Sequence, residues 1–390
     1  MKNKRWLLPE GIDELLPPVS ERLEEVRREL LDCFRGWGYQ LTIPPFVEYL
    51  DSLRVGAGRA LDEQTLKLVD QVSGRLLGVR SDMTPQVARI DAHQLRLEGP
   101  ARLCYLGTVL RARQNAFGSS RSPMQFGAEL YGHAGIESDI EIVSLAIETL
   151  RLAGLEEFSL DLSHVGVFTG LSDDLGLDHE LCHALFEAIQ RKAIPTLREL
   201  LDELPIGAAR KAMLLRLPEL NGERAFADAE LALADAPEPV HQAIDYLARM
   251  ARAIGERYPE LPLHVDLAEL RGYDYHTGIV FAAFVPDRGE EVARGGRYDA
   301  IGAAFGRSRA ATGFSADLKT LLDISGRLYA GEDESRVILA PWREDARLRA
   351  RVAALRAAGE VVLWDLPGTE LDQHRETHRL VETGDGWEVQ

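Results

Sequence analysis

Apolar residues recur at three- and four-residue steps over 20–37, at Leu23, Val26, Leu30, Phe34 and Trp37, which predicts a helix with one buried stripe ended by Gly36 and Gly38. Alternation follows at Tyr39-Gln40-Leu41-Thr42-Ile43, a strand broken by Pro44-Pro45, which proline permits only at an edge or a strand terminus. Leu66 to Val69 and Leu76 to Val79 flank Ser73-Gly74 and predict a β-hairpin. Thr84 and Pro85 suit the N-cap and first position of a helix running to about His93. Strands are then expected at Leu103 to Leu110 and Gln125 to Gly132, joined by a polar loop, Arg113 to Ser122, of a size that usually serves ligands or moves.

After Ser138 the pattern turns helical (Ile140, Val143, Leu145, Ile147, Leu150), and Phe158 to Leu162 reads as a strand. From Leu171 to Tyr258 the chain is rich in Ala, Leu and Glu and helical throughout, with breaks near Pro195, Pro205, Pro218 and Pro237 to Pro239, and reads as a helical insertion. Strand character resumes at Leu263 to Asp266, Ile279 to Val285 and Glu291 to Arg294, before a glycine-rich stretch and a helix from about Asp317. Hairpins rather than regular β-α-β alternation argue for an α+β fold, an antiparallel sheet packed with flanking helices. The tail differs: Arg336 to Ala340, an Arg/Ala helix over 344–358 and Val361 to Trp364 make one β-α-β unit, and the remaining residues are polar. The expected division is 1–170 with 260–328, a helical insertion at 171–259, and a small α/β unit at 329–390.

Composition narrows the function classes. Hydrophobic residues make up 45% and charged residues 28% of 390, values of an ordinary soluble protein, with no apolar run long enough to span a membrane. The first residues are basic but hold too few apolar side chains before Pro9 for a secretory signal, so a cytoplasmic location is expected. Cys33, Cys104 and Cys182 are far apart and join no cysteine–histidine cluster, so neither a metal site nor a disulfide framework is expected. A net charge of −18 disfavours bulk tRNA binding, although an acidic protein can keep a local basic groove.

Four short polar and glycine-rich segments beside strands carry candidate chemistry. Val79-Arg80-Ser81-Asp82-Met83-Thr84-Pro85 places a carboxylate and a hydroxyl at a strand-to-helix turn, where they could accept from an ammonium group or serve as a plain cap. The alternation from Leu110-Arg111 through Gln125 to Glu129 puts Gln125, Gly127 and Glu129 on one sheet face, which a solvated face would also explain. Arg271-Gly272-Tyr273-Asp274-Tyr275-His276-Thr277-Gly278 is rich in donors but also reads as a turn, and Gly295-Gly296-Arg297-Tyr298-Asp299 allows close backbone approach to a ligand or forms a bulge. None follows the glycine patterns of dinucleotide or P-loop sites, and no cofactor is expected.

In this order and at these separations the segments resemble histidyl-tRNA synthetase and its paralogue, the regulatory subunit of short-form ATP phosphoribosyltransferase, over roughly residues 5–325. Arg271-Gly-Tyr-Asp-Tyr-His-Thr-Gly is similar to the family's R-G-L-D-Y-Y-T-G and Gly295-Gly-Arg-Tyr-Asp299 to its G-G-R-Y-D. Val79 to Thr84 is similar to L-R-P-E-x-T, and Gly107 to Arg111 with Gln125 to Glu129 to the second class II synthetase motif. The resemblance implies a class II aminoacyl-tRNA synthetase-like sheet of six or seven antiparallel strands and a dimer interface around Tyr39 to Glu48. It also implies a histidine pocket. Asp82, Thr84 and Gln125 would hold the α-ammonium and Arg271 the carboxylate. Glu129, His276 and Tyr298 would surround the imidazole, with Arg111 and Tyr275 completing the site.

Departures from the family fall on the ATP side. Arg111 matches the nucleotide-clamping arginine of the second motif, but the following H-E-R is replaced by Ala112-Arg113-Gln114. The third motif's G-L-E-R becomes Asp317-Leu318-Lys319-Thr320, which removes the arginine that stacks on adenine, a contact of about 2 kcal/mol, and sets an anion where it would repel triphosphate. The tail is also too short for a complete anticodon-binding domain. The resemblance therefore implies a non-catalytic regulatory subunit that assembles with the short-form ATP phosphoribosyltransferase catalytic subunit and confers feedback inhibition by L-histidine, without tRNA. An active histidyl-tRNA synthetase is the alternative, favoured by the retained Arg111 and Arg271, and an amino-acid-binding protein with another partner is a third.

Overall fold

The structure is a computed structural model that describes residues 6–55, 59–114, 120–269, 275–286, 288–289, 291–328, 337–368, 377–384 and 386–390. The chain divides into two compact units, Met1–Leu328 and Tyr329–Gln390.

The larger unit is built on an eight-stranded sheet in the order Gln40–Leu41, Ala101–Thr108, Met124–Tyr131, Ala311–Asp317, Glu291–Arg297, Ile279–Phe284, Ser159–His164, Leu263–Val265. The six central strands are antiparallel, as the hairpin-rich sequence predicts. Each edge strand is parallel to its neighbour, so the sheet is mixed and larger than the six or seven strands expected. Both edge strands fall within segments expected to be strands, Tyr39 to Ile43 and Leu263 to Asp266, but span only two and three residues.

The pleat separates two cores. Phe126, Ala128 and Leu130 point to the face covered by the helices Val19–Gly36, Ile136–Leu152 and Glu238–Arg257. Val19–Gly36 buries the predicted stripe of Leu23, Val26, Leu30 and Phe34. Its Phe34 ring lies 6.4 Å from both Phe126 and Phe314, and a side chain buried to this degree contributes about 2 kcal/mol. Tyr105, Tyr131 and Tyr298 point the other way, into a smaller cluster with Met83, Val87 and Phe305. That second face carries the site described below.

The predicted hairpin forms, Leu66–Val69 pairing with Leu76–Val79, and gains Val47–Tyr49 as a third strand. Helices and short 3-10 turns fill the chain from Gly166 to Arg257, between two neighbouring strands of the main sheet. Pro195 and Pro239 lie in the first turns of Ile194–Asp202 and Glu238–Arg257, where a missing N–H costs nothing.

The smaller unit corrects the reading of the tail. Val337–Pro341, Ala346–Ala357 and Val361–Asp365 form the expected β-α-β unit, but Thr377–Thr383 and Gly386–Val389 add a hairpin, giving a four-stranded sheet. Leu380 and Trp387 bury against Ile338, Leu348 and Val352, with Val389 packed beside them, so a few apolar side chains tie down the two added strands.

Candidate functional site

Ser81 to Thr84 crosses onto the second face of the main sheet between Leu76–Val79 and the helix Thr84–Ile90. Asp82 Oδ1 accepts the backbone N–H of Thr84 at 2.8 Å and Gln125 Nε2 at 3.1 Å, while Gln125 Oε1 accepts the Met83 N–H at 2.9 Å. Both bonds to Asp82 fall on Oδ1. The N-cap position belongs to Met83, not to Thr84 as the sequence suggests; the Thr84 hydroxyl instead meets the Tyr105 hydroxyl at 2.9 Å.

Tyr105 continues the chain of contacts by donating to Glu129 Oε1 at 3.0 Å, and Tyr298 donates to Glu129 Oε2. Glu129 is 1% exposed, and burial drives its pKa up to about 8 although the hydroxyls of Tyr298, Tyr105 and Thr84 pull the other way; the negative charge of Asp82 raises it further. The Tyr275 ring stacks on Tyr298 with centroids 5.0 Å apart, and the His276 ring meets Tyr275 edge-on at 5.5 Å. Among the described residues the buried Tyr275 hydroxyl has no hydrogen-bond partner. His276 Nδ1 lies 3.3 Å from the Arg297 carbonyl, and burial lowers its pKa to about 4.

The structure thus joins Asp82, Thr84, Gln125, Glu129, Tyr275 and Tyr298 through direct bonds and ring contacts, with His276 at the margin. Arg111 belongs by charge: burial lowers its pKa, and Asp82 and Asp317 are the opposite charges acting on it. Arg271 lies outside the described residues. Two carboxylates and a buried amide facing one aromatic-lined site suit a ligand that carries an ammonium group beside a second basic group.

Asp317 requires a correction. It does not stand as an open anion: it caps the helix Leu318–Ile324, accepting from the backbone of Met124 at 2.9 Å and of Lys319 at 3.2 Å and from the Thr320 hydroxyl at 2.6 Å. Burial raises its pKa. Lys319 turns away to Asp13 and the Ser122 carbonyl, both at 2.9 Å. Asp317 and Thr320, two of the third-motif positions, therefore bond each other.

Residues 11–321 match the model of the histidyl-tRNA synthetase family, and residues 335–390 match the ATP phosphoribosyltransferase subunit HisZ C-terminal domain. A protein of Alkalilimnicola ehrlichii named ATP phosphoribosyltransferase regulatory subunit is 56% identical over 95% of this chain and 92% of its own length. The protein of that name from Thioalkalivibrio sulfidiphilus is 54% identical over 94% of this chain and 92% of its own. The chain belongs to the ATP phosphoribosyltransferase regulatory subunit family. That membership agrees with the expectation of a regulatory rather than an aminoacylating chain, and the C-terminal domain match falls within the small unit expected at 329–390. A solved Bacillus halodurans structure titled as an ATP phosphoribosyltransferase regulatory subunit/histidyl-tRNA synthetase superposes with a TM-score of 0.82 at 27% identity, covering 96% of this chain and 98% of that one. Histidyl-tRNA synthetase from Nostoc, at 17% identity and a TM-score of 0.78, shares the fold, covering 97% of this chain and 92% of its own.

Three contributors to this candidate site escaped the sequence. Tyr105 looks like a core tyrosine, yet its hydroxyl links Thr84 to Glu129. Its signal was Gly127 directly opposite, where a Cβ would stand 2.5 Å from the Tyr105 hydroxyl oxygen. Gly313 makes the same allowance for Glu129, a Cβ there falling 1.6 Å from Oε2. Arg297 does not enter the site but anchors it, pairing with the fully buried Asp139 from the helical face.

Proposed function

We propose that the site binds L-histidine and that the chain, as a non-catalytic regulatory subunit, couples its occupancy to a short-form ATP phosphoribosyltransferase catalytic subunit. Histidine would thereby inhibit the first step of its own synthesis. One observation carries the reading: contacts run unbroken from Asp82 to Tyr298 on the amino-acid side, while Asp317 and Thr320 are consumed in capping a helix on the nucleotide side. Asp82, Thr84 and Gln125 take the α-ammonium, Arg271 the carboxylate, and Glu129, Tyr275, His276 and Tyr298 the imidazole, with Arg111 nearby. Each charge-assisted bond adds about 1.5–3 kcal/mol, and unpaired polar groups in the pocket reject analogues that lack the matching atoms.

The same reading assigns 171–259 to an inserted helical domain, a cytoplasmic location, and self-association without tRNA. Self-association is supported by apolar side chains exposed around Gln40 to Tyr49 and the small sheet, including Ile43 (81% exposed), Val72 (96%) and Leu76 (54%). Regulation requires that histidine bind one state of the assembly better than another, since equal affinity shifts nothing.

The test is to mix the chain with a short catalytic subunit and titrate histidine while following ATP-dependent phosphoribosyl transfer. Inhibition that disappears in Asp82→Ala and Arg271→Ala, with assembly retained, is the expected outcome. Unchanged inhibition in both variants rejects the pocket assignment, and histidine-dependent exchange of pyrophosphate into ATP by the chain alone rejects the non-catalytic reading.

A further inference from the structure

Arg297 and Tyr298 are consecutive and serve opposite faces of the sheet. Tyr298 reaches Glu129 in the site, while the Arg297 guanidinium reaches the helical face, with Nε 3.0 Å from Asp139 Oδ2, Nη2 3.0 Å from Ser138 Oγ and 3.2 Å from the Gly135 carbonyl. The Arg297 backbone holds the rest of the site: its carbonyl accepts the Thr277 N–H at 2.7 Å and lies 3.3 Å from His276 Nδ1. One arginine thus fixes both the tyrosine that touches Glu129 and the turn bearing Tyr275 and His276.

The helical segment supplies the last member. Tyr246, on the helix Glu238–Arg257, donates its hydroxyl to Asp139 Oδ2, the same oxygen that receives Arg297 Nε. The Tyr246 ring also meets His164 edge-on at 5.5 Å, and both rings line an open cavity of about 410 Å³ with Thr169, Asp173 and Gln242. His164 is itself held, its Nδ1 accepting the Gly166 N–H at 3.0 Å. The helix that carries Tyr246 is itself anchored by the buried Val240, Leu247, Met250 and Ile254, so the hydroxyl is delivered to Asp139 from a fixed position.

We propose that Tyr246 is a positioning residue for the histidine pocket, setting its affinity from the helical segment through Asp139 and Arg297. The inference rests on the pocket assignment above. A charged acceptor shared between a phenol and a guanidinium orients both, and loss of the phenol leaves Asp139 and Arg297 free to settle into a different geometry.

The experiment is a double-mutant cycle on the full chain, with L-histidine affinity measured by calorimetry for the unaltered protein, Tyr246→Phe, Tyr298→Phe and the pair. Tyr246→Phe is expected to weaken histidine binding about tenfold, and the two substitutions together to cost clearly less than the product of their separate effects. Additive effects, or a lowered melting temperature with histidine affinity unchanged, overturn the proposal and leave Tyr246 a packing residue. Should Tyr246→Phe fail to fold, hydrogen–deuterium exchange on the unaltered chain decides: histidine is expected to slow exchange across 238–257, and no change there overturns the inference. Histidine that does not bind the unaltered chain at all removes the pocket assignment and this inference together, whereas binding that Tyr246→Phe leaves untouched removes only the latter.

Discussion

Tyr298 and Glu129 touch across an intervening strand. Glu129 lies on Met124–Tyr131 and Tyr298 follows Glu291–Arg297, with Ala311–Asp317 between them, and the phenol reaches the carboxylate over Gly313. Any side chain at 313 would occupy the space of the carboxylate. The contact therefore depends on three segments distant in the chain, which is why it marks the site so sharply once the sheet is closed.

The buried Glu129 should make the ligand-free chain less stable as pH rises. Burial raises its pKa in the folded state from 4.5 to about 8, so between these values the folded form holds a proton that the unfolded form has lost. The stability this confers is complete below pH 4.5 and disappears as pH climbs through about 8. Melting temperatures from pH 5 to 9 should decline less in Glu129→Gln than in the unaltered chain, and parallel curves would show that Glu129 titrates normally.

His276 should act on the acid side. Its folded pKa is lowered from 6.5 to about 4 by burial, so protonation favours the unfolded chain, and stability is lost as pH falls from 6.5 through about 4. His276→Gln should flatten the acid limb of the same profile. His164, lowered to about 4 by burial and by the nearby Arg297 charge, contributes a second step there, so the limb should flatten without vanishing.

Gly313→Ala should damage the site more than the fold. The new methyl group would overlap Glu129 Oε2, and pushing that carboxylate aside breaks its bonds to Tyr105 and Tyr298. Overpacking of this kind costs about 1–3 kcal/mol of stability. Histidine binding, measured by calorimetry, should fall below detection while the far-ultraviolet dichroism stays native.

Much of this was legible before the fold was known, and the limits are physical. Alternation alone placed Gln125, Gly127 and Glu129 on one face, and the strand-to-helix turn at Asp82 was visible in its local composition. Tyr105 and Gly313 were not, because a residue that matters through what lies opposite it shows nothing in its own segment. Asp317 was misread for a related reason: capping and repulsion call for the same residue type, and only the bonds to Met124, Lys319 and Thr320 separate them. The C-terminal hairpin was missed because a single buried residue on each strand, Leu380 and Trp387, leaves no periodicity to detect.

Restoring one arginine should not restore adenylate chemistry. In Thr320→Arg the new side chain gains a stacking group but removes the hydroxyl that donates to Asp317 Oδ2, and Asp317 Oδ1 still caps the helix through Lys319 and accepts the Met124 N–H of the neighbouring strand. Histidine-dependent pyrophosphate exchange should stay at background. Asp317→Ala should lower stability by about 1–2 kcal/mol, the cost of a lost cap, as read from urea midpoints.

The Arg297–Asp139 pair offers the sharpest contrast between charge and geometry. Both partners are buried, with Asp139 fully enclosed, and Arg297 spreads its guanidinium over Asp139, Asp299, Ser138 and the Gly135 carbonyl. Arg297→Lys keeps the positive charge, so it does not leave Asp139 as an unpaired buried anion, but a single ammonium cannot reproduce the planar fork. The expected loss is about 2 kcal/mol, smaller than the 3–5 kcal/mol typical of deleting one partner outright, as in Arg297→Met. Urea unfolding at pH 7 measures both. If lysine and methionine prove equally costly, orientation rather than charge holds Asp139, and the hydroxyl that Tyr246 contributes to the same carboxylate becomes the more important of its two bonds.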